Sequence, residues 1–176
     1  MSFKGESSGM SRRILIAYAT RAGSTTGVAE AVAGQLRRAG YDPVISEIHT
    51  DPSPEEYDHV ILGGPVYMGH MSEVAGYVQR HEAALQSRLI AAFAVGMSFL
   101  EDDKEKQAPA QEALRSSLSS LLPRHIGYFA GKTDPGKLSF LQRMALKIVK
   151  SPVGDFRDYE AIQAWAMEIS GDLQRA

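Results

Sequence analysis

Almost from end to end the chain alternates between short uninterrupted apolar runs and longer stretches whose apolar positions recur every three or four residues. The runs predict strands at Ile14 to Ala19, His59 to Gly64, Leu89 to Val95 and Ile126 to Ala130. Pro43 to Ile48 opens on a proline and mixes its polarity, which suits an edge strand. The first intervening helix is predicted from about Thr26, with Val28, Val32, Leu36 and Ala39 on its apolar face and a stop at Gly40. Further helices are predicted over Glu73 to Leu85, Lys106 to Leu121 and Tyr159 to Leu173. Strands buried on both faces read as continuous apolar runs, so this pattern predicts an α/β fold with a parallel sheet covered by helices on both sides. Five such strands favour the doubly wound order 2-1-3-4-5, in which the loops after strands one, three and four meet at the carboxyl edge of the sheet.

One segment breaks the alternation. Between the fifth strand and the last helix, residues 131–157 hold a predicted short helix from Leu138 to Lys150. Its apolar positions Leu138, Leu141, Ala145, Ile148 and Val149 are interleaved with Arg143 and Lys147 and flanked by Lys137 and Lys150, which makes it a basic amphipathic insertion. No repeat or linker marks a second domain, so residues 11–176 read as one domain. Residues 1–10 are polar, lack an apolar signal core and read as a flexible tail.

Composition removes several chemistries. The chain has no cysteine, which excludes disulfides, Fe–S clusters, thiolate zinc sites and cysteine nucleophiles. A net charge of -2 over 176 residues gives no overall pull toward nucleic acid. The histidines His49, His59, His70, His81 and His125 show no paired ligand spacing, so no metal site is predicted. No G-x-S-x-G elbow is present. No apolar run is long enough to span a bilayer, and the expected location is the cytoplasm.

Three loops carry what remains. The first is Thr20-Arg21-Ala22-Gly23-Ser24-Thr25, small and rich in hydroxyls, between a buried strand and a helix N-terminus. Free amides and the positive dipole end make that position an anion site, and the hydroxyls suit a phosphate; the other reading is an ordinary capped turn. The loop lacks both G-x-G-x-x-G spacing and a following Gly-Lys-Ser/Thr. Gly131-Lys132-Thr133 resembles the tail of a nucleotide loop but follows the wrong strand, and reads as coincidence. The second loop, Gly63 to His70, offers glycines for close backbone approach to a flat ligand and the aromatic face of Tyr67. The third, Gly96-Met97-Ser98-Phe99-Leu100, can bring amides and apolar cover to a ring edge. Trp165, on the last helix, reads as packing.

The first loop resembles the phosphate loop of the flavodoxins, commonly Thr/Ser-x-Thr-Gly-x-Thr, with Ala22 where a hydroxyl is often found. Tyr57 to Gly63, Tyr67-Met68-Gly69-His70, the basic insertion and the helix opening Asp155 to Ala161 extend the likeness over Arg13 to Ile169. They resemble the menaquinone-dependent protoporphyrinogen oxidase branch of the flavodoxin-like proteins. This resemblance implies a flavodoxin-like fold and FMN. The phosphate would sit on Thr20, Arg21, Ala22, Gly23, Ser24 and Thr25. The ring would lie between Pro65, Val66, Tyr67, Met68 and Gly69 and Gly96, Met97, Ser98 and Phe99. It implies oxidation of a porphyrinogen, hydride acceptance at flavin N5 with no catalytic side chain, and a quinone or redox protein as electron acceptor. The insertion would then contact anionic headgroups at the inner face of the cell membrane, or the substrate's propionates. Two other readings of the resemblance are an electron-transfer flavodoxin and an FMN-dependent NAD(P)H:quinone reductase. The near-neutral charge and basic insertion speak against an acidic carrier, and no nicotinamide site is recognisable.

Overall fold

A computed structural model describes residues 12–148, 150 and 152–176; the predicted N-terminal tail and Val149 lie outside the described residues. The central sheet contains β1 (Arg13–Tyr18), β2 (Asp42–Glu47), β3 (His59–Pro65), β4 (Leu89–Val95) and β5 (His125–Phe129). All neighbours are parallel and their order is β2-β1-β3-β4-β5, as the apolar pattern predicts. The proline-led strand does take an edge.

Side chains alternate across the pleat, and each set meets its own pair of helices. Ile14, Ile16, Tyr18, Ile61, Phe93, Val95 and Phe129 pack with α1 (Ser24–Arg38) and α5 (Tyr159–Arg175). Leu15, Ala17, Val60, Leu62, Ala92 and Ala94 pack with α2 (Ser72–Arg88) and α3 (Lys104–Ser117). Trp165 belongs to the first core, edge-on to Phe93 and Phe129 at centroid distances of 6.0 and 5.5 Å. It is a packing residue.

Helix limits follow local chemistry that periodicity does not show. α1 begins two residues before the predicted Thr26, because Gly23 takes a left-handed conformation (φ 77°) and turns the chain into the helix. α3 begins at Lys104, because the Asp103 carboxylate accepts from the amides of Glu105 and Lys106 at 3.0 and 3.2 Å. In the insertion, α4 (Phe140–Ile148) opens on a reciprocal capping box. The Ser139 amide donates to Gln142 Oε1 (2.9 Å), and the Gln142 amide donates to Ser139 Oγ (3.3 Å).

The insertion has a closed neck. β6 (Lys132–Thr133) pairs antiparallel with β7 (Gly154–Asp155), and the Phe156 amide donates to the Gly131 carbonyl at 3.1 Å. The excursion between them therefore leaves and rejoins the domain at one point on the carboxyl side of the sheet.

Gly34, inside α1, has no atom among the described residues, apart from its chain neighbours and its own helix backbone, within 4 Å of where a Cβ would stand. Gly34→Ala is expected to raise stability by about 0.5–1 kcal/mol, by narrowing the unfolded ensemble and favouring the helix. A lower urea midpoint for the variant would contradict the open space.

Candidate functional site

The carboxyl ends of β1, β3, β4 and β5 and the insertion enclose a crevice of about 210 Å³. Of the sequence-predicted positions, Thr20, Arg21, Ala22, Ser24, Thr25, Pro65, Val66, Tyr67, Gly96 and Met97 line it. Gly23, Met68, Gly69, Ser98 and Phe99 are not among the lining residues. Gly23 instead forms the turn before α1. Met68 and Gly69 form the tip of a two-residue hairpin, both with positive φ (48° and 75°), closed by paired backbone bonds between Tyr67 and His70. Phe99 stacks on Tyr128 with centroids 5.2 Å apart and joins the α2/α3 core.

The glycines of the second loop have a different task from the one their sequence suggests. A Cβ on Gly63 would stand 2.0 Å from the Phe93 ring, and one on Gly64 would stand 2.8 Å from Val74. Both make room for the core.

The first loop gathers hydrogen-bond donors at the start of α1. The Gly23 amide donates to Thr20 Oγ1 at 3.1 Å, which folds the loop under the helix start. Among the described residues α1 has no side-chain cap and no acid in its first turn. Its leading amides are therefore left to a ligand or solvent. Ser24 Oγ accepts from the Lys132 amide (2.7 Å), which leaves its own proton to donate. Thr25 is 1% exposed, and its Oγ1 has no hydrogen-bond partner among the described residues. A buried hydroxyl without a partner costs about 1–3 kcal/mol, and a ligand oxygen that accepts from it removes that cost.

Across the mouth, the Arg21 guanidinium lies 4.2 Å above the Tyr67 ring and 3.6 Å from the Glu73 carboxylate. It ties the first loop to the second. A flat ligand stacking on Tyr67 must take the face that Arg21 leaves free, or displace it.

Gly131, Lys132, Thr133, Asp134, Leu138, Gln142 and Leu146 form the remaining wall, which sequence reasoning missed. Gly131-Lys132-Thr133, read from sequence as coincidence, thus borders the crevice. Its signal was position: it follows the last strand at the same sheet edge as the other loops. Gly131 is required there, because a Cβ would come within 2.9 Å of Ser24 Oγ.

The neck is held electrostatically. Arg157 Nε donates to Asp155 Oδ1 at 2.8 Å, and Arg157 Nη1 donates to the Ser24 carbonyl at 3.4 Å. The Arg157 bond lowers the Asp155 carboxyl from an ordinary 3.8 to about 2. Because the folded value is the lower one, this contribution is present above about pH 4 and is lost as pH falls through about 2. Asp155 is 40% exposed, so solvent screening keeps the contribution under about 1 kcal/mol. Amide exchange at Lys132 and Thr133 is expected to accelerate over that acid window in the wild type. Asp155→Asn should flatten the acid dependence; an unchanged profile in the variant would remove the pair from the neck.

Among the described residues no group of three or more histidine or acidic side chains could hold a metal ion, and no helix is long and apolar enough to cross a membrane. His70 borders a separate groove between α2 and α3, with Met71, Ala75 and Glu112.

Comparison with known proteins adds relatives to this geometry. A profile described as a flavodoxin domain matches residues 15–160. Protoporphyrinogen IX dehydrogenase (quinone) of Escherichia coli strain K12 is 23% identical over 171 residues, covering 90% of this chain and 94% of its own. The flavodoxin of Fusobacterium nucleatum, solved bound to flavin mononucleotide, superposes with a TM-score of 0.57 at 15% identity, covering 92% of this chain and 98% of its own. A Streptococcus pneumoniae TIGR4 flavodoxin gives 0.56 at 16% identity, over 91% and 99%. At these identities the solved structures speak to the fold.

Proposed function

The chain belongs to the flavodoxin domain family, and from that premise we propose that it is an FMN-dependent oxidoreductase, more narrowly a protoporphyrinogen IX dehydrogenase that delivers electrons to a quinone. The observation that carries the cofactor is the start of α1, uncapped among the described residues, with the Thr25 hydroxyl that has no partner among them beside it, at a crevice shared by three loops. These groups fit a phosphate ester, because they offer several donors and no carboxylate. The α1 amides, Ser24 Oγ and Thr25 Oγ1 would hold the phosphate, while Pro65, Val66, Tyr67, Gly96 and Met97 would border the ring. When bound, FMN supplies hydride and electron transfer.

The residues of the chain then bind, orient and exclude water. Leu138 and Leu146 give the crevice an apolar side, and Gln142, fixed by its capping-box bond, offers an amide to a ligand's polar edge. Lys132 stands where it can meet an anionic substrate group. The narrower substrate rests on the curated relative, which aligns over 94% of its length, with Lys132 as the cation on this wall that could meet a substrate carboxylate beside Asp134.

The test is an anaerobic absorbance trace of FMN-loaded protein mixed with protoporphyrinogen IX, then with a menaquinone analogue. Bleaching of the flavin band with appearance of porphyrin, followed by recovery on adding quinone, is the expected result. An unchanged oxidised spectrum would overturn the substrate assignment, and NADPH is then the next donor to add.

A further inference from the structure

The sequence leaves two readings of the insertion helix: packed against its own domain with a solvated basic face, or facing an anionic partner. In the structure α4 has no buried residue. Gln142 and Leu146, one turn apart, line the crevice, and Leu146 is half-buried. Phe140, Leu141, Met144 and Ile148 recur at helical spacing on the other side of α4, and are 72, 77, 47 and 78% exposed. The apolar sector of this amphipathic helix thus faces away from the core. Val153, 58% exposed, lies beyond the helix and borders the same cavity as Arg143 and Lys147.

Cations flank this face. From Pro135 to Gly154 the chain carries Lys137, Arg143, Lys147 and Lys150 and no acidic residue, although the whole chain nets -2. Arg143, Lys147 and Lys150 line a cavity of about 260 Å³ together with Pro135, Leu146 and Val153. Among the described residues none of these cations forms an ion pair with a side-chain carboxylate. An outward apolar sector beside unneutralised cations is complementary to one kind of surface, apolar in its interior and anionic at its boundary.

We propose that α4 is a docking element for an anionic phospholipid bilayer. Phe140, Leu141, Met144 and Ile148 enter the acyl boundary, and the cavity lined by Arg143, Lys147 and Lys150 receives a lipid phosphate. The other side of the same helix forms a wall of the crevice, so docking brings the crevice close to the bilayer, where an apolar electron acceptor dissolves. Only this last consequence rests on the flavin reading.

Flotation of the full chain with vesicles tests the proposal. Vesicles of phosphatidylcholine alone are compared with vesicles containing roughly one-third phosphatidylglycerol, at about 0.1 M and about 0.5 M salt. The wild type is expected to float with the anionic vesicles at least about tenfold better than with the neutral ones, and less well at high salt. Leu141→Ser with Ile148→Ser should reduce binding to anionic vesicles by about tenfold or more, and Arg143→Gln with Lys147→Gln should abolish the preference for them. None of these four side chains lines the crevice, so an FMN titration on the same samples reports folding and flavin binding separately. Absence of wild-type flotation, or variants that float like the wild type, would overturn the proposal. So would a stable wild-type dimer that Leu141→Ser with Ile148→Ser dissociates, because the face would then belong to a second copy.

Discussion

Gly63→Ala is expected to cost about 3 kcal/mol, at the upper end of ordinary overpacking, and to lower the urea midpoint accordingly. Gly63 on β3 pairs directly with Phe93 on β4, and the Phe93 ring lies over the space where a side chain would start. The added Cβ would stand 2.0, 2.3 and 2.4 Å from three ring carbons, well inside contact distance. The ring has no easy retreat. Phe93 is fully buried, with Phe129 and Trp165 at centroid distances of 6.3 and 6.0 Å. Against a typical stability of about 5–15 kcal/mol, such a loss is a large share. Adding Phe93→Leu to the variant should recover part of it, because the two sites share the same space. Unfolding followed by Trp165 fluorescence gives the readout, and a midpoint equal to the wild type would contradict the packing.

Thr25→Val separates binding from folding by moving them in different directions. The substitution keeps the shape and removes a buried hydroxyl that has no protein partner among the described residues. The ligand-free protein is therefore expected to be as stable as the wild type or more so, since nothing inside it loses a bond. FMN affinity should fall by about ten- to a hundredfold, the worth of a hydrogen bond to a charged acceptor. Thr20→Ala should also weaken FMN, by a different route: the Gly23 amide loses its acceptor and the loop loosens. Flavin fluorescence titration and urea unfolding on the same samples measure both quantities. Unchanged affinity for Thr25→Val would remove this hydroxyl from the phosphate site, and a destabilised ligand-free protein would show that it has a structural partner.

The sheet was legible because its signal is collective. Strand segments such as Ile14 to Ala19 and Ala91 to Val95 are buried on both faces, and no polar residue interrupts them. Helix limits were less legible, because one residue decides each: the left-handed turn at Gly23, the Asp103 cap, the Ser139 and Gln142 box. The meaning of Gly63 was hidden for a related reason. A glycine beside a binding loop and a glycine beneath an aromatic ring look alike in sequence, and only the strand register identifies Phe93 as its neighbour.

Loop membership of the crevice followed from topology, since the ends of β1, β3 and β4 must converge at the point where strand order reverses. Which side chains turn inward did not follow. Met97 lines the crevice while Phe99, two residues on, stacks on Tyr128. The contribution of the insertion was the least legible part. Its hydrogen bonds to the first loop both end on Ser24, from the Lys132 amide and from Arg157, spanning 108 and 133 positions of chain. The outward orientation of Phe140, Leu141 and Ile148 was equally invisible, because an amphipathic pattern reports two faces without saying which one meets the domain.

The most direct measurement is a titration of the protein with FMN and, separately, with riboflavin, which carries the same ring without the phosphate. If the start of α1 is a phosphate site, FMN binds at least about tenfold more tightly than riboflavin, and the difference shrinks in Thr25→Val. Equal affinities, or no quenching of flavin fluorescence by the wild type, would contradict the account.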